Sequence, residues 1–486
     1  MIRRFGVLEN TMLEERDGFN IRELLTAHRQ EHLLTFWPQL SPDQRADLTE
    51  QVRELDLDSI DEWIETLVKG QPQTPIQHDF EPAKSYSVTP ATSDLKRKYN
   101  QAIELGEELI SKGKVAALTV AGGQGTRLGF EGPKGNYPIS PIRNKTLFRI
   151  FAETIAAVSK RYKAVCPWYV MTSPLNHQQT VDIFRTDNHY GLDPKNVFIF
   201  QQGTLPNFGF DGRILLADKG QIARSPDGHG GCIRALARSG ALADMKRHGV
   251  EYLTYWQVDN PLVRLFDPLF IGLHVLDGAQ MSSKAVIKTG PKEKVGNFCL
   301  VDGKVTVIEY SDLPDELAEK RLSDGSLAFQ LGSIAIHIIN TTFVEYLNTK
   351  GHTLPLHKAI KKVPHIDAQG RRIEPREPNG VKLESFIFDA IPLADRSIIL
   401  DIDRNEQFAP VKNAAGEDSA EVTRRMMVQR AALWLESAGI KVPRKADGSP
   451  DCVLEIAPSF ALDRSDVPAK KDKVPPIRPG DKVYLE

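Results

Sequence analysis

The sequence predicts an α/β protein with a helical beginning, a large central domain built on a sheet, and a smaller closing domain. Two observations predict it. From residue 115 onward, short apolar runs alternate with stretches of helical period, the order that gives a sheet covered by helices. Before that, residues 21–67 are charged and repeat with helical spacing throughout. The composition agrees: 41% of the 486 residues are hydrophobic and 26% charged, enough chain for two to four domains at roughly 100 to 200 residues each.

In the first region Leu24, Leu25, His28 and His32 lie on related helical faces, and Ser41-Pro42-Asp43 reads as a helix start. The stretch 70–90 is rich in proline and polar residues, as a surface connection is. After a helix over 95–111, strands are predicted over 115–120, 168–172 and 197–200, with helices over 147–161 and 178–184 between them. The pattern continues through a helix at 241–248 and strands at 252–258 and 285–288. Asp302-Gly303, between two apolar runs, marks a hairpin. Beyond 375–380 come the apolar segments 385–391 and 398–402, a helix over 420–438 and a tail over 468–486. The resulting division is 1–94, helical region and linker; 95–384, central domain; and 385–486, an α+β C-terminal domain.

Lys and Arg number 62 against 64 Asp and Glu, a net charge of −2 that argues against a nucleic-acid coat or a polybasic membrane anchor. No stretch of about 18 uninterrupted apolar residues is present, and the opening Met1-Ile-Arg-Arg-Phe-Gly6 runs straight into acidic sequence. A cytoplasmic protein without nucleic-acid or membrane partners is expected. Cys166, Cys232, Cys299 and Cys452 each stand alone, which fits free thiols better than zinc or a disulfide framework.

The most informative stretch is 118–129, a buried strand running into Gly122, Gly123, Gly125 and Gly129, followed by Pro133-Lys134-Gly135. Glycines let successive N–H groups approach an anion or a base edge where a Cβ would block them, and Arg127 and Lys134 add full charges. Leu128 replaces the third glycine of a dinucleotide fingerprint, and no Gly-Lys-Ser/Thr closes a Walker loop. Phosphate handling by a different kind of loop is indicated.

Ala121-Gly-Gly-Gln-Gly-Thr-Arg-Leu-Gly129 with Pro133-Lys-Gly135 resembles the signature of the UDP-sugar pyrophosphorylases, most of all the UDP-N-acetylglucosamine (UDP-N-acetylhexosamine) branch. Phe200-Gln-Gln-Gly203, Pro226-Asp-Gly-His-Gly-Gly231, Val258-Asp-Asn260, Val307-Ile-Glu-Tyr310, Asn379-Gly-Val-Lys-Leu-Glu-Ser-Phe386 and Phe408-Ala-Pro-Val-Lys-Asn413 follow in family order. The resemblance implies a doubly wound mixed sheet of nucleotide-diphospho-sugar transferase type, Rossmann-like, with the site beyond the strand ends. It implies a uridylyltransferase that converts UTP and a sugar 1-phosphate, N-acetylglucosamine 1-phosphate first, into a UDP-sugar and pyrophosphate with Mg2+.

By the same resemblance Val120, Ala121, Gly122 and Gly123 line the nucleotide, and Arg127 and Lys134 neutralise the departing pyrophosphate. Gln202 and Gly228 read the uracil edge, for which a carboxamide supplies both a donor and an acceptor. Asp259, at the end of an apolar strand, takes the metal. Lys382 and Lys412 reach phosphate groups, while His229, Glu309 and Tyr310 face the sugar.

His229 departs from the asparagine usual in the N-acetylhexosamine enzymes, and Gly-His-Gly is frequent in UDP-glucose pyrophosphorylases and broad-specificity relatives, so these are the alternative donors. A UDP-sugar-dependent glycosyltransferase would not need the cations Arg127 and Lys134. A noncatalytic UDP-sugar sensor would not need the full set of loop, Lys134, Asp259 and Lys412. Asp401-Ile-Asp403 reads as a strand-end cluster beside Arg404, so Asp403 is left out of the metal site. His28-Arg-Gln-Glu-His32 spells an inverted zinc-protease motif, but nothing nearby nominates a third ligand or a cleft.

Overall fold

The computed structural model describes residues 20–70, 80–350 and 353–486. The opening segment and most of the Gly70 to Pro75 stretch, discussed above, lie outside the described residues. The chain groups into two compact units, each made of separate segments: a smaller one from 1–77, 203–231 and 355–386, and a larger one from 78–202, 232–354 and 387–486. The sequence division was into three consecutive segments, whereas these units interleave along the chain.

The larger unit is built on a ten-stranded mixed sheet. Its strands are β1 (Glu81–Pro82), β2 (Val115–Val120), β3 (Trp168–Thr172), β4 (Val197–Gln201), β5 (Tyr252–Gln257), β6 (Met281–Ile287), β7 (Gly296–Val301), β8 (Lys304–Ile308), β9 (Leu331–Asn340) and β10 (Ile399–Asp401). The spatial order is β1-β7-β9-β5-β2-β3-β4, with β6 also on β9, β10 on β6 and β8 on β7. Strands β5, β2, β3 and β4 are mutually parallel. Strand β9 runs antiparallel to β5.

Winding proceeds outward from β2 through β3 to β4, then returns to place β5 on the other side of β2. That reversal is a topological switch point, the place where an open α/β sheet leaves a crevice beyond its carboxyl ends. The buried runs explain the parallel half: Val115, Ala116, Ala117 and Leu118 are all fully buried, as strands covered on both faces must be.

The helices of this unit longer than one turn are α1 (Ser93–Ser111), α2 (Leu147–Tyr162), α3 (His177–Thr186), α4 (Cys232–Arg238), α5 (Ala241–Arg247), α6 (Pro268–Leu276), α7 (Thr341–Thr349) and α8 (Ala420–Ser437). Thr92 and Thr146 cap α1 and α2 by accepting from Leu95 N and Arg149 N. On α2, Leu147, Phe148, Phe151, Ala152, Ile155 and Val158 form one buried stripe at helical spacing. Helices α1 and α6 approach through glycine: a Cβ on Gly272 would sit 1.7 Å from Ala102 O, and one on Gly106 would sit 2.0 Å from Pro268 O. The β7–β8 hairpin turns at Asp302 (φ 51°) and Gly303 (φ 75°), the two positive φ values of a type I′ turn. The tail forms a parallel pair, Val453–Ile456 with Lys482–Leu485, packed on Trp434 and Leu435 of α8. Buried Glu455 accepts from Ile142 N and Arg143 N, tying that pair to the chain after the glycine loop.

The smaller unit carries the helices Ile21–Ala27, Pro42–Arg53 and Leu57–Trp63. Ser41 and Gln44 form a capping box at the helix start read from sequence. A three-stranded antiparallel sheet joins Leu356–Lys361, Gly380–Ser385 and Phe208–Gly209. Leu25, Leu48, Val52 and Ile60 pack with Phe208, Ile222, Val381 and Leu383 into its core. The apolar segment 385–391 divides between two elements: the strand of this unit ends at Ser385, and Ile387–Leu393, in the larger unit, winds as a 3₁₀ turn that contains Pro392.

Candidate active site

Strand β2 delivers Val120 and Ala121 to its carboxyl end, where the glycine loop begins. Ala121 N–H still bonds Met171 O of β3 at 2.7 Å, and the chain then leaves the sheet. Asn176 Nδ2 donates to Ala121 O at 2.9 Å and Gly123 O at 3.2 Å, while Ser173 Oγ donates to Gly122 O at 2.8 Å. Three successive carbonyls are thereby held from one side. In trans peptides the N–H groups of Gly122, Gly123 and Gln124 then point away from those carbonyls.

Gln202 follows β4 with its N–H on Thr172 O at 2.9 Å, and it is buried. A Cβ on Gly122 would lie 2.6 Å from Gln202 Oε1, so the carboxamide rests directly on that glycine. The structure therefore brings together two residues expected to bind the nucleotide. The loop closes on itself through Gly125 N to Gly132 O (2.9 Å) and Lys134 N to Gly123 O (3.0 Å). Gly135 is required because a Cβ there would enter the Phe148 ring at 2.1 Å. Arg127 lies exposed on the short 3₁₀ turn Thr126–Leu128.

Asp259 follows β5, the neighbour of β2, and is buried. Lys134 Nζ stands 3.9 Å from Asp259 Oδ2, with the two side chains 17% and 12% exposed. Glycine loop and acid thus face each other across the switch point. Val411 N–H donates to Asp259 O at 2.9 Å, which delivers the next residue, Lys412, to the same place. Lys412 Nζ lies 3.7 Å from Asp418 Oδ2. Burial raises the Asp418 carboxyl above the usual range, Lys412 opposes that, and the negative charge of Asp259 adds to it.

Glu309 and Tyr310 follow β8. The register Gly296↔Ser333 and Tyr255↔His337 sets the start of β7 at the carboxyl end of β5, and Asn297↔Ile308 brings the chain after β8 back to that level. A Cβ on Gly296 would lie 3.7 Å from Glu309 Oε1, so the carboxylate covers that glycine, while Tyr310 is 46% exposed.

Gly228, His229 and Lys382 belong to the smaller unit. Gly228 has φ +87°, and a Cβ there would meet Ser385 O at 2.3 Å, so the Gly-His-Gly loop lies flat against the end of the strand carrying Lys382. The His229 ring stacks on Phe386 (5.3 Å, 18°), which also stacks on His357 (4.3 Å, 20°). Burial, with His357 second, pushes the His229 imidazole down to about 4, so it is neutral at physiological pH. Burial lowers Lys382 as well, Glu384 opposing and Lys361 adding to the effect.

Ser173, Asn176, Asn260 and Asp418 were not singled out from sequence. The signal for Asn260 was present, as a polar residue just past the end of β5 in the Val258-Asp-Asn260 motif. Asp403 caps the following turn by accepting from Asn405 N, and Asp401 accepts from Val88 N. His28 bonds Asp61 at 2.8 Å and His32 bonds Ile214 O at 2.7 Å, each tying the smaller unit together.

Residues 65–464 match the family described as UTP--glucose-1-phosphate uridylyltransferase. The chain belongs to this family. It is 37% identical over 476 residues to the human UDP-N-acetylhexosamine pyrophosphorylase-like protein 1, covering 92% of this chain and 93% of that protein. It is 38% identical over 354 residues to the UDP-N-acetylglucosamine pyrophosphorylase of Saccharomyces cerevisiae, covering 71% and 74%. The crystal structure of the uridine diphosphate N-acetylglucosamine pyrophosphorylase from Trypanosoma brucei in complex with inhibitor superposes with a TM-score of 0.78 at 25% identity, over 95% of this chain and 96% of that one. Within the family, these likenesses fall on the UDP-N-acetylglucosamine branch that the loop motifs resembled.

Proposed function

We propose that the chain transfers a uridylyl group from UTP to a sugar 1-phosphate, releasing pyrophosphate, with N-acetylglucosamine 1-phosphate as the preferred acceptor. The observation that carries this reading is the opposition of Lys134 and Asp259 at 3.9 Å across the switch point, beside a glycine loop on which Gln202 rests. A phosphate oxygen of the sugar attacks the α-phosphorus in line and the bond to pyrophosphate breaks, so no covalent enzyme intermediate is needed. Positioning and charge neutralisation then do most of the catalysis.

Gln202 offers the uracil edge a donor and an acceptor, and the N–H groups of Gly122 and Gly123 approach the nucleotide where side chains would block it. Lys134 and Arg127 meet the negative charge that develops on the departing pyrophosphate, and Lys412 meets a phosphate from the other strand end. The family resemblance is what assigns Gly228 and Lys382 to the nucleotide and His229, Glu309 and Tyr310 to the sugar.

Asp259 suits Mg2+, which takes one or two carboxylates plus substrate phosphate oxygens, and Asp418 lies within its electrostatic reach. When bound, the ion would neutralise and orient phosphate oxygens as a Lewis acid. Asp259 is the residue that would hold it. The four cysteines are buried free thiols, which supports a reducing, cytoplasmic setting. Among the described residues no helix is long and apolar enough to cross a membrane.

His229 favours a second reading, in which glucose 1-phosphate or several sugar 1-phosphates are accepted. Pyrophosphate release from UTP and Mg2+ with N-acetylglucosamine, N-acetylgalactosamine, glucose and galactose 1-phosphates decides between them. Turnover with N-acetylated sugars is expected, and His229→Asn should change the ranking of sugars. Turnover with glucose or galactose alone would replace the first reading by the second, and UDP-sugar binding without any release would replace both by a sensor.

A further inference from the structure

Lys284 sits in the middle of β6 with its side chain 0% exposed. Its Nζ donates to Asp267 Oδ2 at 2.7 Å and to Gln407 Oε1 at 2.6 Å, and lies 5.3 Å from the centroid of Phe270. Buried ion pairs are poor devices for stability, because desolvating both charges offsets most of their attraction and apolar side chains of similar volume serve as well. The partners of Lys284 suggest what else this pair does.

Asp267 closes the loop that starts at Asp259. Gln407 opens the segment that ends at Lys412. Between them Asn260 Nδ2 donates to Gln407 O at 2.8 Å, and Asn260 Oδ1 accepts from Ala409 N at 3.1 Å. Val411 N donates to Asp259 O at 2.9 Å. The two segments therefore run side by side, and one buried ammonium grips both.

We propose that Lys284 and Gln407 are positioning residues for the transfer. The ammonium clamps the 259–267 loop to the 407–412 segment and so fixes where the Asp259 carboxylate stands relative to the Lys412 ammonium. This rests on the uridylyltransfer reading. Neither residue touches substrate, and their effect passes through Asn260 and the Val411–Asp259 bond.

Gln407→Met tests it, since it removes the acceptor for Lys284 while leaving the Lys284–Asp267 pair and the main-chain bond of residue 407. The expected result is a fall in kcat of about tenfold or more, on the scale of a small misplacement of reacting groups, with KM for UTP within about twofold. Gln407→Glu, which keeps an acceptor, should restore kcat to within about twofold of wild type. In a Lys412→Gln background, Gln407→Met should cost nothing further in kcat, because the group being positioned is gone. The double variant Lys284→Met/Asp267→Leu removes the same clamp through an apolar swap, and should reproduce the kcat loss if Gln407→Met is poorly folded.

Unchanged kcat in the folded variants, or losses that multiply independently of Lys412, would overturn the proposal and leave a purely structural ion pair. Wild-type protein that releases no pyrophosphate with any sugar 1-phosphate would instead overturn the reading on which it rests.

Discussion

Lys134 is fixed by its main chain before its charge acts: its N–H closes the glycine loop on Gly123 O, and the side chain then extends to within 3.9 Å of Asp259 Oδ2. Truncation leaves that main-chain bond in place. Lys134→Ala should therefore lower kcat by roughly 10²-fold, the scale of one lost electrostatic stabiliser, while equilibrium binding of a UDP-sugar changes little. Steady-state kinetics alongside titration calorimetry would check the split, and an equal loss of both would assign Lys134 to ground-state binding. The glycine loop and Asp259 were legible in the sequence because Gly122, Gly125 and Gly129 answer local demands that a Cβ would violate, and because an acid ending an apolar strand stands out. Ser173 and Asn176 were not, since their work is to hold carbonyls of a strand that becomes their neighbour only once the sheet forms. Asp418 was illegible for a similar reason: its relation to Asp259 depends on a turn that folds back onto Lys412.

Among the elements, β2, β3, α1 and α2 could be read to within two residues, because full burial of a strand and a single apolar stripe on a helix leave plain patterns. The run 385–391 left its element type open, because its β-branched and aromatic residues suit a buried turn as well as a strand. Nor did the sequence show how closely α1 and α6 approach. A methyl group on Gly272 would meet main-chain atoms of Ala102, which cannot rotate away as a side chain can. Gly272→Ala is accordingly expected to destabilise the protein by about 1 to 3 kcal/mol through overpacking, despite a gain in helix propensity of up to about 1 kcal/mol. Thermal unfolding monitored by circular dichroism measures the sum, and a rise in Tm would mean that the helices can slide apart at little cost.

For the whole molecule, buried histidines contribute to the loss of stability in acid. Burial pushes His274 down to about 4, with Asn340 opposing, and the ring is held between Ser282 Oγ and Asn340 Oδ1. Its folded value lies below the ordinary 6.5, so between those values the unfolded chain binds the extra proton. Stability is then full above about pH 6.5 and declines toward pH 4, by up to about 3 kcal/mol for this residue, and His229 adds in the same direction. Urea midpoints at pH 7 and pH 5 test this, and His274→Asn should flatten the difference. The interleaved units have a consequence for synthesis. Leu25, Leu48 and Val52 are sealed only when Val381 and Leu383 arrive, yet they leave the ribosome some three hundred residues earlier. At roughly 5 to 20 residues per second the nascent helices wait on the order of tens of seconds with an apolar face uncovered. The growing chain is thus a natural client for a chaperone that shields such surfaces until the distant strand is made.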